Sequence, residues 1–423
     1  MRWRNRRLAA VAVAMGSVLA TAAAGERPAF PGAVGFGSDT PGGRGGKVLR
    51  VTSLDGDGPG SLRAALESKG PRIVVFEVGG VIDLGRKSLR ITQPFVTVAG
   101  QTAPSPGITI IRGALYISTH DVVVRHIRVR PGDAGRPRRS GWEPDGISTS
   151  GGEAHDIVID HCSVTWAVDE NISTSGPRTE GPERTSHRVT ISNCIIAECL
   201  HDATHHKGPH SKGTLVHDFC REIAVIANLY AHNVQRNPYF KAHTTGVIVN
   251  NVIYNPRSAA IQLGFSAGEW RKSKYDPLPP RVSIVGNLCI HGADTRKGLA
   301  MVARPGEVFL ADNLALDAKG REAQVLGKGV EVVEKPPVWP EGLEPVPASE
   351  VLAHVARHAG ARPRDRDETD RRIIRDLLGR KGRVIDTQDQ VGGYPRHQPV
   401  RRKLDVPEEG VDAWLAEMAA EVE

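Results

Sequence analysis

The 423-residue chain has a formal charge of +7, with 46 glycines, 29 prolines and only 5% aromatic residues. So much chain punctuation excludes a helical bundle and points to a β-rich protein that packs small branched side chains. No dense basic stripe is interleaved with stacking aromatics, so nucleic acid is not expected as a partner, although a local basic patch can hold a polyanion.

The chain opens with Arg2, Arg4, Arg6 and Arg7, an apolar run from Leu8 to Ala20, and the small residues Thr21-Ala22-Ala23-Ala24 before Gly25. That order predicts a secretory signal peptide over residues 1–24. The run is short, rich in alanine and broken by Gly16 and Ser17, which argues against a membrane anchor. Export to the periplasm or the medium follows, with no membrane span after cleavage and a monomeric mature protein. Losing four arginines and no acid leaves that protein mildly basic. Its five cysteines, at 162, 194, 199, 220 and 289, are an odd number without a C-x-x-C pair, so neither a disulfide scaffold nor a zinc knuckle is expected.

From residue 122 to 316 a short strand pattern recurs, as in Val122-Val123-Val124-Arg125-His126-Ile127 and Ile157-Val158-Ile159-Asp160-His161-Cys162. Further copies place Asn193, Asn228, Asn251, Asn287 and Asn313 at the polar fifth position. Spacing between copies varies, which fits solenoid coils that share a circumference and differ by outward loops. The predicted fold class is all-β, a right-handed parallel β-helix over residues 25–329. Aligning the polar marks predicts one buried column of Val124, Ile159, Ile191, Ile226, Val249, Val285 and Ala311. A second column would hold Ile127, Cys162, Cys194, Leu229, Val252, Leu288 and Leu314, making Cys162 and Cys194 core thiols. Asparagines in register can form a side-chain ladder. Residues 330–423 read as a partly helical tail that packs along the solenoid or covers its open end. Helices are expected from Ser349 to Ala359 and from Asp370 to Leu378.

Asp169, His201 and Arg236 each lie eight residues after a mark, which places them on one face. Strands about 4.8 Å apart would put Asp169 and Arg236 about 10 Å from each other, with the coil of His201 between them. His201, His205, His206 and His210 cluster on one segment and raise the option of a transition-metal site, or of imidazoles that bind sugar hydroxyls.

Several segments together resemble polysaccharide lyase family 1, the pectate lyases. They are Gly35-Phe36-Gly37, Gly42 to Gly46, Gly58 to Arg63, Ala99 to Pro104, Asp160 to Ser163, Trp166 to Glu170 and Arg236-Asn237-Pro238. The resemblance implies calcium-dependent β-elimination of α-1,4-linked galacturonan, with an arginine as the base. Carried over residue by residue, it implies calcium ligands at Asp145, Asp169, Glu170 and Glu143 and a catalytic Arg236. The Glu143-Pro144-Asp145 match is interrupted by the basic insertion Arg136 to Trp142. Where the family often has a second substrate arginine this chain has Lys241, which keeps the charge without the bidentate fork. The substrate lysine falls by register on His201, with Lys207 the nearest lysine and the favoured one. The competing expectations are a galacturonan hydrolase, for which no acid triplet on successive coils is evident, and a non-catalytic polysaccharide-binding solenoid.

Overall fold

The structure, a computed structural model, describes residues 27–423, so the predicted signal peptide at 1–24 lies outside the described residues. Strands that alternate an inward apolar side chain with an outward one stack coil upon coil, and each backbone amide pairs with the coil above or below. Three sheets result, of eleven, ten and eight strands. Among the described residues these strands pair in parallel, apart from Val400–Arg401, which joins Val78–Asp83 antiparallel. The fold is a parallel β-helix, wound in the right-handed sense that twisted strands impose on their crossovers. It runs one strand beyond residue 329, since Val330–Val332 pairs with Gly306–Ala311.

The buried column of the eleven-stranded sheet corrects the sequence alignment by one residue. Ile191 pairs with Val225 rather than Ile226, and the column continues through Ile248 and Ile284 to Leu310. A slip of one residue moves a strand's side chains to the opposite face. Ile226, Val249 and Val285 therefore face outward, where Val34, Phe36, Val338, Trp339 and Leu343 cover them. Inside, each fully buried Ile or Val of the column contributes about 1.5–3 kcal/mol of burial.

The same slip reassigns two cysteines. The asparagine ladder runs from Asn228 through Asn251 and Asn287 to Asn313, each amide Nδ2 donating to the next Oδ1 at 2.9–3.0 Å. Cys194 stands in this column, because its backbone N–H donates to Asn228 Oδ1 at 2.9 Å as an asparagine's would. Cys162 follows, its N–H meeting Cys194 Sγ at 3.4 Å. The thiols end the ladder and do not occupy the leucine column. All five cysteines are buried and unpaired.

The tail runs back along the solenoid. Helix α1 (Leu62–Glu67) belongs to an early coil. Helices α2 (Ala348–His358) and α3 (Glu368–Gly379) set Val351, Val355, Ile373 and Leu377 on Ile195, Leu229, Val252 and Leu288 of the ten-stranded sheet. Ser349 lies within the first turn of α2 and is not its cap; α3 starts earlier than predicted, because the Asp367 side chain accepts from Asp370 N. Under α3, Arg128 and Arg130 are fully buried against Asp367 and Asp370. Helix α4 (Val411–Ala420), which the sequence did not suggest, packs Leu415 near Ile73, Val75 and Ala99 at the first coils. Among the described residues no helix is long and apolar enough to cross a membrane.

Candidate active site

The eight-stranded sheet carries a groove of about 340 Å³ whose lining includes Asp145, Asp169, Glu170, Lys212, Arg236 and Lys241. Its floor is built by consecutive coils. Asp145 precedes strand Ile147–Ser150, Glu170 opens strand Glu170–Ser175, and Lys212 opens strand Lys212–Val216. Glu170 pairs directly with Lys212, which bridges in turn to Gln235, the neighbour of Arg236. Gly213 permits this close stacking, since a Cβ there would stand 2.5 Å from the carbonyl oxygen of Arg236.

Three carboxylates converge: Asp145, Asp169 and Glu170 each bring an oxygen within 4.8 Å of the others. Asp145 Oδ2 accepts from Ser148 Oγ at 2.7 Å and from Ser173 Oγ at 2.6 Å, and Oδ1 accepts from Glu170 N at 3.1 Å. Burial raises Asp145 above the usual carboxylate range, and the charge of Asp169 adds to the rise. Burial would raise Asp169 as well, but the Lys212 ammonium, 3.0 Å from Oδ1, holds it low. Glu170 is driven up by burial; Arg236 opposes the rise, and Asp145 and Asp169 reinforce it. An acid cluster in this state gains from a cation that satisfies all three groups.

Arg236 lies in the left-handed backbone region, with φ 62°. Its N–H donates to Gln262 Oε1 at 2.7 Å, its guanidinium stands 5.6 Å from the centre of the Tyr239 ring, and Nη1 contacts Glu170 Oε1. A buried amide chain ties the flanks together: Asn171 Nδ2 donates to Asn233 Oδ1 at 3.2 Å, and Asn233 Nδ2 to Asn237 Oδ1 at 3.0 Å. The residue after Glu170 is thus linked to the residue after Arg236. Non-glycine residues in this region persist where the surroundings fix them, as these contacts do.

The other predicted positions are distributed differently. The eight-residue offset breaks at the loop after Cys199, so Lys212 takes the rung assigned to His201. His201 Nδ1 instead donates to the carbonyl of His210 at 3.2 Å, and His201 N donates to Ile385 O at 2.8 Å, which anchors the loop to the tail. Lys207 stands at the exposed rim of the groove. Glu143 Oε1 accepts from His206 N at 2.8 Å and turns toward the histidine loop. Lys241 lines the groove beyond Arg236. Contrary to the sequence reading, an acid triplet on successive coils does exist.

His205 and His210 stack face to face, with ring centroids 3.4 Å apart and planes 20° from parallel. Imidazole nitrogens bind an ion in the ring plane, and two stacked planes cannot converge on one ion, so this pair does not form a shared transition-metal site. The hard-oxygen cluster of Asp145, Asp169 and Glu170, by contrast, suits a hard divalent cation such as calcium.

The structure thus defines a parallel β-helix that presents a groove of paired acids and cations on one sheet. No family model matches the chain. It is 33% identical over 380 residues to the probable pectate lyase C of Neosartorya fischeri, covering 86% of this chain and 81% of that protein. A similar protein in Emericella nidulans is 33% identical over 379 residues, covering 86% of this chain and 80% of that one. Among solved structures, the fold resembles Jun a 1, the major allergen of cedar pollen, with a TM-score of 0.58, 17% identity and 78% of this chain and 92% of that one covered. Pectate lyase II of Xanthomonas campestris gives a TM-score of 0.50 at 17% identity, over 78% of this chain and 98% of that one. The chain belongs to the pectate lyases, and is thus a polysaccharide lyase.

Proposed function

We propose that the protein cleaves α-1,4-linked polygalacturonate by calcium-dependent β-elimination, with Arg236 as the base that takes the C5 proton. The observation that carries this reading is the contact of Arg236 with Glu170, one of three clustered carboxylates. Asp145, Asp169 and Glu170 supply oxygen ligands for calcium, with Ser148 and Ser173 fixing Asp145. A calcium ion held there would draw electron density from the uronate carboxylate and so acidify the α-proton, and it would take over part of the charge of Glu170 that Arg236 meets in the free protein.

Lys212 and Lys241 neutralise substrate carboxylates on either side of Arg236, and Lys207 at the rim extends that positive wall. The electron pair of the broken C5–H bond forms the C4–C5 double bond, the proton passes to Arg236 in its neutral guanidine form, and the 4-linked oxygen leaves with its electrons and takes a proton from water. The same acid triplet raises hydrolysis as a second reading. Hydrolysis uses carboxyl groups about 5–5.5 Å or 6.5–9.5 Å apart, with room for substrate or water. This cluster is tighter than that, and Lys212 and Arg236 are paired into it, so elimination is favoured. Secretion, implied by the predicted signal peptide, places the enzyme where such polymers occur.

The test is incubation with polygalacturonate while following ultraviolet absorbance. A rising signal that disappears with a calcium chelator and returns with added calcium is expected. Depolymerisation without absorbance would establish hydrolysis instead.

A further inference from the structure

Past Arg236 the groove meets a second group of charges. Lys241 Nζ lies 2.6 Å from Glu269 Oε2 and 3.0 Å from Asp218 Oδ2. Arg178 reaches the same two acids, with Nε 3.2 Å from Asp218 Oδ2 and Nη1 3.4 Å from Glu269 Oε2. Two cations thus face two carboxylates. His217 completes the group, its Nδ1 3.1 Å from Asp218 Oδ2 and its Nε2 3.2 Å from Arg178 Nη2.

The two acids differ in kind. Asp218 is wholly buried and its second oxygen accepts from Ala242 N at 3.2 Å, so it is a fixed counter-ion. Glu269 is 37% exposed and rides on the single turn Ala267–Trp270. That turn is anchored by Trp270, whose ring packs 5.5 Å from Phe219 and 5.3 Å from His243. With the Glu269 carboxylate gone, Arg178 and Lys241 would share one acid, and an almost buried ammonium would lack half of its compensation. A buried charge without a full partner is strongly disfavoured. The position therefore demands one carboxylate from some source, and Glu269 is the source that can leave without disturbing the core.

We propose that Glu269 is an internal stand-in for substrate at Lys241 and Arg178: it pairs with both cations in the free protein, and a uronate carboxylate enters by displacing it. This rests on the reading of the groove as a polygalacturonate site. A methyl-esterified residue has no charge to exchange for that of Glu269 and so leaves the pairing intact. Asp218 stays in place throughout and keeps the two cations together.

The test uses the full-length protein and Glu269→Gln, which keeps the size and exposure of the side chain. KM for polygalacturonate should fall about fivefold, the scale of a partly exposed charge-assisted bond, while kcat changes less than about twofold. KM for highly methylated pectin should not improve. Independently, an amine-reactive reagent followed by peptide mass spectrometry reads the accessibility of Lys241. Labelling should be faster in Glu269→Gln, and polygalacturonate should suppress it. Unchanged or raised KM together with unchanged labelling would overturn the proposal. If the wild-type protein does not turn over polygalacturonate, the groove assignment fails, and the labelling arm still decides the role of Glu269: equal labelling in both proteins rejects it.

Discussion

Lys212 stands opposite Glu170 in the parallel register, and its ammonium lies 3.0 Å from Asp169 Oδ1. It therefore holds a positive charge against Asp169 and Glu170 at the side of the acid cluster, contacts that neither Lys207 nor His201 makes. Lys212→Ala should lower kcat/KM on polygalacturonate about 100-fold, the scale of removing one preorganised electrostatic group. Lys207→Ala and His201→Ala should each stay within about threefold. A loss at Lys207 equal to that at Lys212 would transfer the role to the loop.

The tail is held by charge as well as by apolar packing. Asp370 accepts from Ser163 Oγ at 2.7 Å, Arg128 Nε at 3.1 Å and Arg130 Nη2 at 2.8 Å, all of them buried. Asp370→Asn leaves two buried guanidinium groups short of one charge, and should cost about 3–5 kcal/mol in chemical denaturation.

The neighbouring Asp367 sets an acid limit. Burial alone would raise its carboxyl, but Arg130 and Arg128 outweigh it and hold the group far below its usual range. A depressed folded value gives stability that is complete above the unfolded value of about 3.9 and is lost as pH falls below it. The Asp367 contribution, read as the difference in melting temperature between the wild type and Asp367→Asn, should thus be constant from neutral pH to about pH 4.5 and then shrink. In Asp367→Asn the protein should start lower and drop less steeply. Parallel curves for the two proteins would exclude Asp367 as the titrating group.

Burial pushes the thiols of Cys199, Cys220 and Cys289 upward, to about 12 for the last two, and raises Cys194 as well. Buried and protonated thiols do not react. The native protein should resist a thiol reagent at pH 8, and all five thiols should titrate in denaturant. Rapid native labelling of any cysteine would show local opening of that coil.

The sequence made the solenoid readable because repeated strands with a polar mark leave a signal at every coil, and a shared backbone period supports it. Register was less readable. Ala227 stands at the mark's own position, so the asparagine of the next residue, Asn228, drew the alignment off by one and turned Ile226 inward on paper. Of the four acids singled out in the sequence, the fold brings Asp145, Asp169 and Glu170 together and turns Glu143 toward His206. Lys212 was missed because a loop of variable length separates it from its coil's mark, and counting residues cannot measure a loop. The partners of Lys241 were illegible for the same reason: Asp218 and Glu269 arrive from different coils, and only folding places them on one ammonium.

The most direct test of the account is the effect of Arg236→Ala on turnover, measured beside calcium and trigalacturonate binding by calorimetry. The account predicts that both ligands still bind within about tenfold while formation of the unsaturated product falls at least 1,000-fold, roughly the reach of a positioned base together with its charge. Product formation within about tenfold of the wild-type rate, with binding intact, would show that another group removes the proton.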